Sequence, residues 1–84
     1  MPVTVNFPAS LQPLAGTTML VRETVSTVDE VVAALDRLKP GLAAALDDPL
    51  YNIAVNNDLL LHNVGRQAVK DGDVLEIVPT IAGG

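Results

Sequence analysis

The chain has 84 residues, 49% of them hydrophobic, and carries five Lys and Arg against ten Asp and Glu, a net charge of −5. This length predicts one small domain with a single core, and the hydrophobic share excludes a disordered chain. An acidic protein is poorly suited to nucleic acid or to an anionic membrane, so we expect neither as a partner. A basic protein surface fits better, although a mild acidic excess also serves solubility alone.

The sequence contains no cysteine. This excludes a disulfide framework, a thiolate metal site, a cysteine nucleophile and a persulfide carried on the protein. The N-terminus lacks the basic start and apolar run of a signal peptide, and no apolar stretch approaches the ~20 residues that a membrane span needs. We therefore expect a cytoplasmic protein.

Two strands are predicted in the first third of the chain. Residues 3–7 alternate apolar and polar side chains, which places Val3, Val5 and Phe7 on the inner face. Residues 18–25 are rich in β-branched side chains and predict a second strand, antiparallel to the first. The connection between them contains two prolines and is long for a hairpin, so we expect a loop of defined shape.

One main helix is predicted to follow. Thr27 and Glu30 have the spacing of a capping box, in which the glutamate reaches back to the N–H of Thr27. Pro40 and Gly41 end the helix, and residues 42–46 are compatible with one further short helical turn. The apolar stripe toward the core is formed by five residues at helical spacing, Val28, Val31, Val32, Leu35 and Leu38.

The second half of the chain predicts three more strands. Residues 51–56 and 59–61 flank an Asn-Asn-Asp turn, and residues 74–78 follow a tight Asp-Gly turn. Because one helix covers only one face of a sheet, the expected fold is a two-layer α+β domain. A mixed sheet of four or five strands packed on one main helix is the β-grasp arrangement of ubiquitin, although element order alone leaves other α+β folds open.

Candidates for internal chemistry are few. His62 is the only histidine, and no cysteine or second histidine is present to complete a zinc site. Residues 71–76 resemble a calcium loop only faintly, since the third acidic position and the final glutamate are missing, and a turn is the better interpretation. The glycines before the terminus are scattered singly, which predicts no phosphate-binding loop. We expect no catalytic residues, no metal and no bound cofactor.

The C-terminus is the most informative segment. Its side chains become smaller toward the end, in the order Pro79, Thr80, Ile81, Ala82, Gly83 and Gly84. We predict that residues 1–79 form the domain and residues 80–84 a flexible tail, which extends about 17 Å and threads a narrow channel of a partner. The carboxyl of Gly84 is unhindered, and joining it to AMP would let a sulfur, nitrogen or oxygen nucleophile attack it. A frayed tail that ends in glycines by chance is the alternative.

These features together resemble the ubiquitin-like sulfur carriers, the group that includes the small subunit of molybdopterin synthase and the thiamine-pathway carrier. The most specific part is the Pro-x-Ile-Ala-Gly-Gly ending behind an Asp-Gly-Asp turn, in a chain without cysteine. Residues 41–46 and the ending suit the molybdopterin synthase small subunit. Residues 7–13 depart from that pattern and are more similar to carriers that supply sulfur to cysteine or other pathways, so molybdopterin synthesis and other sulfur-metabolite synthesis both stay open. The matching segments are residues 3–5, 11–16, the helix from Thr27, and residues 40–42, 53–56, 71–73 and 78–84.

The resemblance implies a carrier without catalysis of its own. An E1-like enzyme would adenylate Gly84 with ATP and Mg²⁺, a persulfide or sulfide would displace AMP, and the thiocarboxylate would donate sulfur to an acceptor held by a second enzyme. Val74, Glu76 and Val78 are expected to face away from the core and to form a patch that docks these partners, unless a loop covers them. Attack of a lysine on the same adenylate would instead make the chain a protein modifier, and a passive interaction domain is a third alternative.

Overall fold

The computed structural model describes residues 2–47 and 50–80. Two single 3₁₀ turns occupy Ala9–Leu11 and Val64–Arg66. The helices and strands in these ranges are β1 (Val3–Asn6), α1 (Gln12–Ala15), β2 (Thr18–Val21), α2 (Val28–Leu38), α3 (Leu42–Leu46), β3 (Tyr51–Val55), β4 (Asp58–Leu60) and β5 (Val74–Pro79).

The strands form one mixed sheet in the order β2-β1-β5-β3-β4. Strand β1 pairs antiparallel with β2 and parallel with β5. Strand β3 pairs antiparallel with both β5 and β4. The last strand of the chain therefore lies in the centre of the sheet, with a neighbour on each side. This confirms the predicted mixed sheet and two-layer α+β architecture.

The core lies between one face of the sheet and α2. Alternate residues of the central strands point into it, among them Val5 of β1 and Leu75 of β5, which are 0% and 1% exposed. Burying a side chain of this size stabilises the fold by about 1.5–3 kcal/mol relative to leaving it in water. From α2 the core receives Val28, Val31, Ala34 and Leu35, and from α3 it receives Leu42.

Helix α2 begins as predicted, with one difference in its capping. The Thr27 hydroxyl accepts a hydrogen bond from the N–H of Glu30, as a capping box requires. The Glu30 carboxylate accepts from the N–H of Ser26, one residue earlier than expected. The predicted apolar stripe is wrong at its last member, because Leu38 is 55% exposed, and Ala34 occupies the core in addition.

Backbone conformation and side-chain hydrogen bonds together end helix α2. Lys39 adopts an extended conformation, as a residue before proline does, and Gly41 then takes a left-handed φ of 99°. The Asp36 carboxylate accepts from the N–H groups of Gly41 and Ala43, each at 3.0 Å. These bonds hold α3 against the end of α2, where Leu42 fills the core.

The loops around β1 to β4 refine the sequence prediction. Strand β2 ends at Val21, four residues before the predicted end of the second strand. The proline-containing connection before it is a 3₁₀ turn followed by the short helix α1. Asn56 and Asn57 join β3 to β4 in a two-residue hairpin loop with φ values of 49° and 73°. Such left-handed angles are those of a type I′ turn, which asparagine tolerates better than most residues.

Candidate functional site

The candidate site begins where β5 ends. The register pairs Tyr51 with Pro79, and the N–H of Thr80 donates to the carbonyl of Leu50, so pairing continues into the first residue of the predicted tail. The remaining predicted tail residues, Ile81, Ala82, Gly83 and Gly84, lie outside the described residues. The division into a domain of residues 1–79 and a flexible tail of residues 80–84 stays a prediction.

The predicted docking residues share the face of the sheet opposite the helices. Leu75 and Ile77 of β5 point into the core, and the alternate residues point away from it. Val74 is 37% exposed, Glu76 is exposed and Val78 is half-buried. The patch is therefore not covered by a loop among the residues that the structure describes, although its role in docking stays a prediction.

Two further apolar residues on this face were missed by the sequence analysis. Leu20 of β2 and Val74 of β5 are both paired with Thr4 of β1, so the three form one row across the sheet. Leu59 of β4 lies in the next row beside Ala54, and Leu20 and Leu59 are 39% and 50% exposed. Their outward direction depends on the register of edge strands, which hydrophobic pattern alone does not fix.

The start of β5 is held by a buried polar cluster around Asp73. This carboxylate, only 6% exposed, accepts from the Asn56 side-chain amide and from the Lys70 backbone N–H, each at 3.0 Å. The Asn56 carbonyl oxygen in turn accepts from the N–H of Val74 at 3.0 Å. The hydrogen bonds to its carboxylate hold the pKa of Asp73 below its ordinary value. The bond from the Asn56 amide has the largest effect and the bond from the Lys70 N–H the next largest, while burial acts in the opposite direction.

The Asp73 cluster fixes where β5 starts relative to both neighbours. The Asp73 carbonyl also accepts from the N–H of Thr4 at 3.0 Å, which starts the parallel pairing with β1. The sequence signal was present in the Asp-Gly-Asp turn and the Asn-Asn turn, but their contact joins residues 17 positions apart. The resulting rigid strand gives the tail a defined origin and direction.

The end of β5 separates from β1 at a pair of prolines. The N–H of Thr4 donates to the carbonyl of Asp73, and in a parallel ladder this pattern repeats every two residues. If it continued, the N–H of residue 8 would donate to the carbonyl of Ile77, and the N–H of residue 79 would donate to the carbonyl of residue 8. Both positions are proline, which has no N–H. The strands diverge there and leave a groove of about 260 Å³ between residues 6–8 and residues 76–79.

The other candidate ligand residues from the sequence do not form a binding site among the described residues. His62 is exposed in the connection after β4. Gly72 takes a left-handed φ of 87° in the turn before β5, which supports the turn interpretation of residues 71–76. Over the described ranges no group of three or more His, Cys, Asp or Glu side chains is arranged to hold a metal ion. The same ranges contain no helix that is long and apolar enough to cross a membrane.

A model of the protein family described as the ThiS family matches residues 5–84 of the chain. The chain belongs to the ThiS family. Membership covers the C-terminal segment as well as the domain, so the predicted resemblance to ubiquitin-like sulfur carriers is confirmed.

Relatives of this ThiS-family chain match it over all or nearly all of their length. Sulfur carrier protein CysO of Mycobacterium tuberculosis is 32% identical over 93 aligned residues, with all of both chains covered. The crystal structure of M. tuberculosis CysO superimposes with a TM-score of 0.79 at 28% identity, covering 94% of this chain and 99% of the other. In the Amycolatopsis orientalis BexX/CysO complex the matching chain gives a TM-score of 0.80 at 31% identity, covering 98% and 99%.

A modifier protein is also among the similar structures. SAMP1 of Haloferax volcanii superimposes with a TM-score of 0.77 at 25% identity, with all of both chains covered. Together with the CysO structures it confirms the predicted β-grasp fold.

Proposed function

We propose that this ThiS-family protein is a sulfur carrier whose reacting group is the carboxyl of Gly84. The observation that carries the proposal is the position of the Gly-Gly ending. It lies four and five residues beyond Pro79, the last residue of a central strand that has a neighbour on each side. Small terminal residues on a rigid base suit a tail that enters a partner's active site, because glycine lets backbone and ligand approach closely.

The proposed chemistry takes place on a partner. An E1-like enzyme with ATP and Mg²⁺ joins the Gly84 carboxylate to the α-phosphate, and pyrophosphate leaves. Sulfide then attacks the acyl carbon and AMP departs, which leaves a thiocarboxylate; a persulfide donor serves equally once a thiol has cleaved the acyl disulfide. A second enzyme holds the electrophile that takes this sulfur. Since the chain has no cysteine, no thiol of its own competes for the sulfur.

The outer face of the sheet is the proposed docking surface for these enzymes. It carries the exposed apolar residues Leu20, Val74 and Leu59, and it extends along β5 toward Pro79, where the predicted tail begins. Single exposed apolar residues are common, but several on one uncovered sheet face favour an interaction surface. CysO of Amycolatopsis orientalis is seen in a complex with BexX, which supports a carrier that works through protein partners. We place the reaction in the cytoplasm, where the activating enzyme has ATP.

Intact mass spectrometry tests the carrier role. The purified chain is incubated with its activating enzyme, ATP, Mg²⁺ and sulfide, and we expect a gain of roughly 16 Da as sulfur replaces one terminal oxygen. A chain lacking Gly83 and Gly84 is the matched control and is expected to gain nothing. Absence of the gain from the full chain, with an activating enzyme that works on its known carrier, contradicts the proposal.

A second candidate function is protein modification, favoured by the similarity to SAMP1, which is named small archaeal modifier protein 1. The same adenylate would then be attacked by a lysine amine, forming an isopeptide bond with release of AMP. Trypsin cleaves this chain after Lys70, so a search of digested cell lysate for lysines that carry residues 71–84 as the remnant separates the two roles. Remnants that disappear in the Gly84→Ala strain support conjugation, and none under sulfur starvation or oxidative stress contradicts it.

A further inference from the structure

The groove between the diverging ends of β1 and β5 has an unusual hydrogen-bonding edge. Pro8 cannot donate to the Ile77 carbonyl, and Pro79 has no N–H of its own. The edge of β5 that faces the groove therefore presents the carbonyl groups of Ile77 and Pro79, about 6.6–6.8 Å apart, and no donor. A neighbouring β-strand offers donors and acceptors alternately, so one of its carbonyls would remain unpaired against Pro79.

The groove also contains one free charge. Glu76 lines it, and within the described part of the chain this carboxylate has no ion-pair partner. Its neighbours across the sheet are Asn6 and Ala54, both uncharged. The Asn6 side-chain oxygen is already engaged, because it accepts from the Thr18 hydroxyl at 2.8 Å. Glu76 is thus the side-chain acceptor that remains for a ligand at this point of the sheet. By strand alternation it is also the only charged side chain on the outer face of the described strands β1, β2, β3 and β5.

We propose that an arginine side chain of the enzyme that receives the tail occupies this groove. The inference rests on the proposed function, because it assigns the group that recognises the root of the tail. A guanidinium carries only donors, five in a planar fork, so it satisfies both the Ile77 carbonyl and the Glu76 carboxylate without bringing an acceptor to Pro79. Its flat apolar faces fit the walls that Pro8 and Val78 form.

The position of the groove supports this partner. Pro79 lines the groove and directly precedes Thr80, the first residue of the predicted tail. Any enzyme that holds residues 80–84 in a channel covers the mouth of that channel with its own surface, which places it over the groove. The net charge of −5 also favours a cationic group from the partner.

The first experiment compares two carboxylate-to-amide variants in ATP–pyrophosphate exchange with the activating enzyme. Glu76→Gln is expected to raise the KM for the carrier at least tenfold with an unchanged kcat, because docking is weakened and the reacting carboxyl is untouched. Asp58→Asn, which removes the same charge at the far end of the sheet, is expected to change the KM less than twofold. Salt should raise the KM of wild type more steeply than that of Glu76→Gln.

The second experiment identifies the partner group. Phenylglyoxal modifies exposed arginines of the activating enzyme, and we expect one arginine to be protected by wild type and not by Glu76→Gln. Pro8→Ala supplies the missing N–H to Ile77 while keeping an extended backbone, φ −72° and ψ 165°. We expect the new backbone amide at position 8 to be protected from hydrogen exchange and the KM of this variant to rise severalfold, since one acceptor of the groove is then occupied.

The outcomes separate this inference from the proposed function. If wild type gains sulfur and Glu76→Gln keeps the wild-type KM, the arginine is refuted and the carrier role stands. Impairment by Pro8→Ala alone would indicate a backbone strand in the groove and would equally refute it, as would a phenylglyoxal pattern in which wild type protects no arginine that Glu76→Gln leaves exposed. If wild type gains no sulfur, the proposed function fails first.

Discussion

Asp73 gives the sharpest test of how the start of β5, the strand that leads to the tail, is held. Replacing it by asparagine keeps the shape but turns one acceptor into an NH₂ group, which must face either the Asn56 amide or the Lys70 N–H, both donors. Loss of one charge-assisted hydrogen bond costs about 1.5–3 kcal/mol, and the donor–donor contact adds to it. We therefore expect Asp73→Asn to lower the free energy of unfolding by about 3 kcal/mol at neutral pH, which for a domain of this size lowers Tm by about 12–24 °C.

The pH dependence of this loss is the stricter part of the test. The hydrogen bonds lower the pKa of Asp73 in the folded state below its ordinary value of 3.8. Its stabilising contribution is thus complete above the pKa of the unfolded chain and disappears as pH falls through the lower folded value. Urea unfolding of wild type and Asp73→Asn from about pH 6 to about pH 2 should show their difference shrinking with acidity. A difference that stays constant over this range, or that is no larger than that of the exposed Asp58→Asn, refutes the reasoning.

Three further predictions concern the core, the helix start and the tail. Leu42→Ala should cost about 2–5 kcal/mol in urea unfolding, whereas Leu38→Ala should cost less than about 0.5 kcal/mol, and equal losses would contradict the burial pattern. Thr27→Ala should cost about 1 kcal/mol in the same measurement, with Thr27→Ser nearly neutral, and equal stability of Thr27→Ala and wild type would contradict the capping role. Gly84→Ala should slow ATP–pyrophosphate exchange by about a hundredfold while changing stability by less than about 0.5 kcal/mol; normal exchange would show that the tail is not the reacting group.

The elements of the fold could be predicted because their signals are local. Thr27 and Glu30 mark the start of α2, Pro40 and Gly41 mark its end, and alternation identifies β1 and β5. The wrong details are those that depend on distant contacts. Leu38 has the spacing of a core residue, but it is the last residue of α2 and stays exposed, while Leu42 of α3 is fully buried in the core.

Only the features of the site that follow from the type and order of its residues could be predicted. The Gly-Gly terminus and the alternation of β5 pointed to the tail and to the outer patch. The Asp73 cluster could not be predicted, because Asn56 and Asp73 meet only after β3 and β5 have paired. Leu20 and Leu59 were missed for a related reason, since a shift of one residue in an edge strand would turn them inward.

Pro8 and Pro79 show most clearly what register adds to composition. Each proline taken alone is an ordinary strand terminator. In the parallel register of β1 and β5, each proline stands where a backbone N–H would donate a ladder hydrogen bond to the other strand. Two missing donors at one point leave carbonyl groups without their ladder partners, next to the origin of the tail. Beside them lies the Glu76 carboxylate, which has no ion-pair partner among residues 2–47 and 50–80. The two prolines that end the pairing of β1 and β5 therefore also determine which chemical group a partner must bring to the groove. They do so only because the parallel register places them at the same point of the ladder.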